Sequence, residues 1–147
     1  MENERRFWLV RDKRRLLLAM MEELAGDAHI SFEGDLRALP IFSTPGASQE
    51  ETVNLKRNTL WPQEDFIVLP LEPSMSKAII SAVGGTIPKT IIHIQIEKNS
   101  LIQFAAYDRF HPECIVFGTA VTEAVRESLV SQGIMRPHVK KRPRSRG

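Results

Sequence analysis

The chain has 147 residues, 42% of them hydrophobic and 26% charged, with a formal net charge of +2. That length supports one well-buried core rather than two, and the composition is that of an ordinary globular domain. No apolar run approaches the ~20 residues of a membrane span. The N-terminus lacks the apolar stretch of a secretory signal, and one cysteine excludes an internal disulfide or a Cys-rich zinc site. These features together predict a cytoplasmic protein with no membrane partner.

The charge is segregated along the chain. Residues 1–15 carry six Lys/Arg, and residues 136–147 carry six more with no acid. Between them, residues 16–135 hold eight basic and fifteen acidic residues, a balance of −7. The expected arrangement is an acidic folded body, 1–135, with a basic tail without fixed structure over 136–147.

In chain order, Phe7-Trp8-Leu9-Val10 is apolar and reads as a short strand. Asp12 reads as the N-cap of a helix that Gly26 ends, with Leu16, Leu17, Met20, Met21 and Leu24 as its apolar stripe. The helix charges oppose its dipole. Lys13, Arg14 and Arg15 lie at the positive end, and Glu22 and Glu23 at the negative end. Two readings of the basic turn stand side by side: an anion site at the helix N-terminus, or solvated charge facing the acidic body.

Ala28 to Glu33 predicts a strand with Ile30 and Phe32 inward. Residues 37–64, broken by Pro40, Pro45-Gly46 and Pro62, have the least pattern. Ser48-Gln49-Glu50-Glu51 has capping-box spacing and predicts a short helix from Gln49 to Arg57. The segment otherwise fits a binding loop, or a cover for a sheet edge with Leu60 and Trp61. Phe66 to Leu69 predicts a buried strand, and Ser74 reads as the cap of a helix from Met75 to Val83. Gly84-Gly85 follows a helix rather than a strand, so it is no phosphate loop.

The clearest stretch is Thr90 to Gly118. Ile92, Ile94 and Ile96 share one parity, and Ile91, His93 and Gln95 the other, which predicts a strand with one buried face. Asn99-Ser100 turns the chain, and Leu101 to Tyr107 repeats the alternation. After the polar corner Asp108-Arg109-Phe110-His111-Pro112-Glu113, the short apolar run Cys114 to Phe117 predicts a strand covered on both faces. Thr119 reads as the cap of a last helix. The expected fold is α+β: one domain, a mainly antiparallel sheet of about five strands with about three helices on it, in the order (β)αβ…βαβββα.

The corner gathers Asp108, Arg109, His111, Glu113 and Cys114. A Cys–His nucleophile pair, His111 with Cys114, needs the imidazole folded back onto the sulfur. A metal site needs His93, Asp108, His111 and Cys114 to converge. The simpler reading is a rigid bend. In it Pro112 fixes the turn, Phe110 anchors the core and Asp108 bonds nearby backbone amides. No hydrolase, nucleotide or metal motif appears, and no cofactor is implied.

The hairpin Ile92–Ala106 with the corner residues Tyr107, Asp108, Phe110, His111 and Cys114 resembles part of some small bacterial immunity proteins of polymorphic toxin systems. The likeness spans less than a fifth of the chain. It implies a small, non-catalytic, cytoplasmic inhibitor, acidic where it meets a basic toxin, and it assigns no residues.

The leading expectation is therefore a binding protein that engages a protein partner. Its candidate contacts are Asp108, Arg109, His111 and Glu113 at the corner and Glu50, Glu51 and Trp61 in the long loop. The alternative is a nucleic-acid-associated regulator. It would use Arg11, Lys13, Arg14 and Arg15 with Lys140, Lys141, Arg142, Arg144 and Arg146 of the tail, whose cations can neutralise phosphates. A third is a small enzyme at His111 and Cys114. Self-association is compatible with all three.

Overall fold

The alternating apolar residues of 91–117 build the centre and one edge of a five-stranded antiparallel sheet. The structure, a computed structural model, describes residues 6–139. The sheet contains β2 (Ala28–Gly34), β3 (Asp65–Leu71), β4 (Ile91–Lys98), β5 (Leu101–Ala106) and β6 (Ile115–Phe117), in the spatial order β3-β2-β4-β5-β6. A separate two-stranded ribbon pairs β1 (Phe7–Val10) with β7 (Met135–His138). Three helices, α1 (Lys13–Leu24), α2 (Ser76–Val83) and α3 (Glu123–Ser131), complete the α+β domain.

One face of the sheet is a continuous apolar surface. Ile30, Phe32, Ile67, Leu69, Ile94, Ile96 and Phe104 are buried there in one cluster with Leu16, Leu17, Met20 and Met21 of α1 and Ile79, Ile80 and Val83 of α2. This is the period-2 face of strands meeting the 3.6-residue stripes of helices. Gly34 is required where β2 meets β4, because a Cβ there would collide with the Thr90 carbonyl oxygen.

The reversed charges of α1 are answered locally. Asp12 caps the helix, accepting from the Arg15 amide at 3.1 Å. At the other end the Lys98 ammonium, delivered from the β4–β5 turn, donates to the carbonyls of Leu24 and Ala25 at 3.1 and 3.0 Å. A cation thus meets the negative helix end despite Glu22 and Glu23.

Several expectations change. Residues 49–57 form no helix. Ser48 pairs with Val68 of β3, and its hydroxyl accepts from the Glu50 amide two residues on, not from the amide a capping box needs. Val53 is 87% exposed while Leu55 is fully buried, so the segment has no helical stripe to bury. The segment 136–138, expected as the start of an unstructured tail, is strand instead. Its backbone pairs with β1, and that pairing does not depend on side-chain charge. The remaining tail cations, Lys140, Lys141, Arg142, Arg144 and Arg146, lie outside the described residues.

The last two helices start later than expected. α2 begins at Ser76 with no side-chain cap, and α3 is capped by Thr122, whose hydroxyl accepts from Val125. A turn closed by Val121 N–H on the Gly118 carbonyl intervenes before α3. Finally, β6 is an edge strand with Val116 exposed, not one covered on both faces. Its apolar character serves Ile115, which enters the core, and Phe117, which stacks edge-on to Trp8.

Candidate functional site

The second face of the sheet is polar and is covered by chain rather than by helix. Register places Glu33 of β2 opposite His93 of β4, and Ser31 opposite Gln95. The Gln95 amide is fully used. Its nitrogen donates to the Ser31 hydroxyl and the Lys56 carbonyl at 3.1 and 3.0 Å, and its oxygen accepts from the Tyr107 hydroxyl at 3.1 Å. Burial pushes the Tyr107 phenol above its ordinary pKa, which keeps it a donor.

Glu33 is 1% exposed, and its carboxylate accepts from the amides of Asn58 and Thr59 at 2.7 and 3.0 Å. A buried carboxylate is tolerable when donors face its oxygens. These two bonds fix the backbone of the irregular segment onto the sheet. Lower down, Leu55 packs into a small apolar cluster with Phe66 and Val68. The Arg57 guanidinium lies 5.1 Å from the centre of the Phe66 ring.

The segment emerges from these anchors with Leu60 and Trp61 91% and 85% exposed. Two adjacent large apolar side chains in water are costly on a loop tied down at Lys56, Asn58 and Thr59. The Trp61–Pro62 peptide bond is cis.

The corner is held to the same place. His93 stands between it and the loop, with Nε2 3.0 Å from the Thr59 hydroxyl and Nδ1 accepting from the Asp108 amide at 3.1 Å. Asp108, Arg109 and Phe110 all have left-handed backbone, with φ of 48°, 55° and 62°. For residues with a Cβ this costs about 1–2 kcal/mol each. The corner is overdetermined in return. The Arg109 amide donates to the Ile92 carbonyl at 2.8 Å, its guanidinium to the Lys89 carbonyl at 2.7 Å, and Phe110 is buried. Strained backbone of this kind is characteristic of clamps and binding sites.

The candidate contacts therefore separate. Thr59, two residues before Trp61, shares His93 with the Asp108 amide of the corner. Glu50 and Glu51 line a separate small cleft with His29 and Pro70. Glu51 is also engaged within the loop, accepting from the Arg57 amide at 3.0 Å. Glu113 lies on the far side of the corner, where a groove of about 470 Å³ runs between β6 and Arg6 and Trp8.

His111 caps the 3₁₀ turn Pro112–Cys114, its Nδ1 accepting from the Glu113 amide at 3.1 Å. The Cys114 amide donates to the His111 carbonyl at 2.8 Å, but among the described residues no hydrogen bond joins the imidazole to the half-buried Cys114 sulfur. Likewise, no group of three or more His, Cys, Asp or Glu side chains among the described residues is arranged to hold a metal ion.

Arg11, Lys13, Arg14 and Arg15 converge around a cleft of about 490 Å³ between the start of α1 and Gly85, Thr86 and Ile87. Arg14 is partly engaged there, its Nε donating to the Gly84 carbonyl at 2.9 Å.

Sequence reasoning missed Glu33, Gln95, Thr59 and the exposed Leu60. For Glu33 the signal was a charged residue ending the polar parity His29, Ser31, Glu33 of a strand whose other parity is apolar. For Leu60 it was an apolar pair beside proline in a segment with no periodicity. No protein-family model, curated protein or solved structure matches the chain. No helix among the described residues is long and apolar enough to cross a membrane.

Proposed function

We propose that this protein is a binding module that engages a protein partner through the Leu60–Trp61 knuckle and the adjoining Asp108–Arg109 corner, in the manner of an inhibitor or immunity protein. One observation carries the reading: two large apolar side chains stand almost wholly exposed on a loop that buried polar groups hold rigid. Tryptophan and arginine are the side chains that dominate interface energetics, and a rigid anchor loses little entropy on docking. The acidic balance of residues 16–135 supports a basic partner, whose approach it would accelerate. Asp108 and Arg109 supply the polar rim, and Glu50 and Glu51, which line a separate cleft, are set aside.

The test is affinity capture from the native cell, with nuclease treatment, comparing the intact chain with Trp61→Ala and Asp108→Lys. A partner retained by the intact chain should bind Trp61→Ala at least ~30-fold more weakly, the scale of a hot-spot residue. Equal retention by all three proteins contradicts the reading.

A second reading, association with nucleic acid, is favoured by the four cations around the α1 cleft. Each phosphate contact makes affinity fall with salt. Retention of DNA or RNA that falls steeply with salt, and is lost in Arg14→Glu/Arg15→Glu, would support it. No retention at low salt would remove it.

A further inference from the structure

We propose that His93 is a proton-operated latch: neutral, it ties the Thr59–Trp61 knuckle to the Tyr107–Phe110 corner, and protonated, it lets them part.

Nδ1 accepts from the Asp108 backbone amide, so it carries no proton. The single proton of the neutral ring is then on Nε2, which donates to the Thr59 hydroxyl. One tautomer satisfies both partners. Adding a proton at Nδ1 sets an N–H donor against the Asp108 N–H, and neither can accept. The contact must open, either by rotation of the ring, which surrenders Thr59, or by withdrawal of the corner.

The corner is a suitable element to release. Its three left-handed residues store strain, so each lost tie brings the open form closer in energy. The loop beside it is fastened through neighbouring atoms, the Asn58 and Thr59 amides on Glu33.

The groups that face the imidazole work in both directions. Burial is the largest influence and holds the ring below its ordinary pKa of 6.5. The Glu33 carboxylate on β2 and the Asp108 carboxylate in the corner pull it back up, while the Arg109 guanidinium pushes it down. The Tyr107 ring meets it edge-on, with centroids 5.6 Å apart, and stays neutral. The sign follows. A histidine whose pKa is depressed in the closed form and ordinary in the open form favours the closed form fully above pH 6.5. That preference is lost as pH falls from there towards the depressed value, by at most about tenfold per pH unit.

The latch is a property of the free chain; its consequence, a docking surface that disassembles in mild acid, rests on the protein-partner reading. The test therefore uses the whole chain without any partner. Amide exchange is measured at about pH 7.5 and about pH 5.5, on either side of the ordinary histidine range, and expressed as protection relative to unstructured peptide. Protection at Asp108 and Thr59 should fall several-fold in acid, while amides inside α1 keep theirs. In His93→Asn the side-chain oxygen can take the place of Nδ1 as acceptor without titrating, and the acid response should disappear. That variant also separates His93 from Glu33, whose carboxylate remains.

A wild-type chain whose protection at these amides does not change overturns the latch, as does a variant that responds as strongly as wild type. Should the variant not fold, NMR of the wild type decides. The His93 ring and the Asp108 amide must titrate with one midpoint, and different midpoints reject the coupling. Failure here leaves partner binding by Trp61 untouched, and loss of Trp61 binding leaves this result standing.

Discussion

The two faces of the central sheet are built on opposite principles. The inner face is Ile30, Phe32, Ile94, Ile96 and Phe104 against the helices, held by area removed from water, which has no direction. The outer face is Ser31, Glu33, His93, Gln95 and Tyr107 against an irregular loop, held by named donors and acceptors. The first determines that the chain folds. The second determines where one loop and one corner stand, which apolar packing alone does less sharply. Stability and site positioning are thus assigned to different residues, and the two can be broken separately.

The largest effect should come from the inner face. Phe32→Ala should cost about 3–5 kcal/mol of global stability, because the fully buried ring leaves a cavity between sheet and helices. Urea unfolding followed by circular dichroism checks it, and a loss below about 1 kcal/mol would mean that the sheet and helices do not share one core.

Glu33→Gln tests the outer face. The amide that replaces the carboxylate can accept through only one atom, so one of the Asn58 and Thr59 N–H groups is left facing a donor. The cost is about 1–3 kcal/mol, concentrated in exchange of the 52–62 amides rather than in the core. Uniform loss over the whole chain would erase the distinction between the faces.

Arg109→Gly is smaller and of opposite sign. Glycine adopts left-handed backbone without a Cβ penalty, so stability should rise by up to ~1 kcal/mol, less whatever the guanidinium bond to Lys89 contributes. A fall in melting temperature would show that the side-chain bond outweighs the strain. Trp61→Ala should be the mildest of all for stability, within ~0.5 kcal/mol, because the side chain is exposed. A larger loss would mean that Trp61 packs on the fold instead of being offered to a partner.

The inner face was legible in the sequence because periodicity reports burial. Ile94-x-Ile96 and the Leu16 to Leu24 stripe each have one period and one partner surface, and both elements form where expected, although a register shift at Glu33/Gly34 puts Ile91 rather than Ile92 into the core. The outer face was not legible, because a hydrogen bond from His93 to Thr59 or from Asn58 to Glu33 leaves no repeat in the chain. Its partners are 34 and 25 residues apart. The same limit produced the helix assigned to 49–57. Its local capping signal lost to a bridge with Val68 and to the burial of Leu55, both decided by tertiary contacts. It also hid β7, whose basic residues read as tail although the backbone pairs with β1. The corner fared between these. Its rigidity and the anchoring of Phe110 were readable, but Asp108 is held through its amide by His93 rather than through its carboxylate.

On the proposed reading, the anchored loop offers Leu60 and Trp61 to another protein. A photo-reactive residue placed at Leu60 in the full chain, expressed in its native cell, tests this most directly. One dominant protein adduct is expected, lost when Trp61→Ala is added and absent when the probe is moved to Glu22 on α1. Adducts that persist with Trp61→Ala, or that form equally well from Glu22, would contradict it.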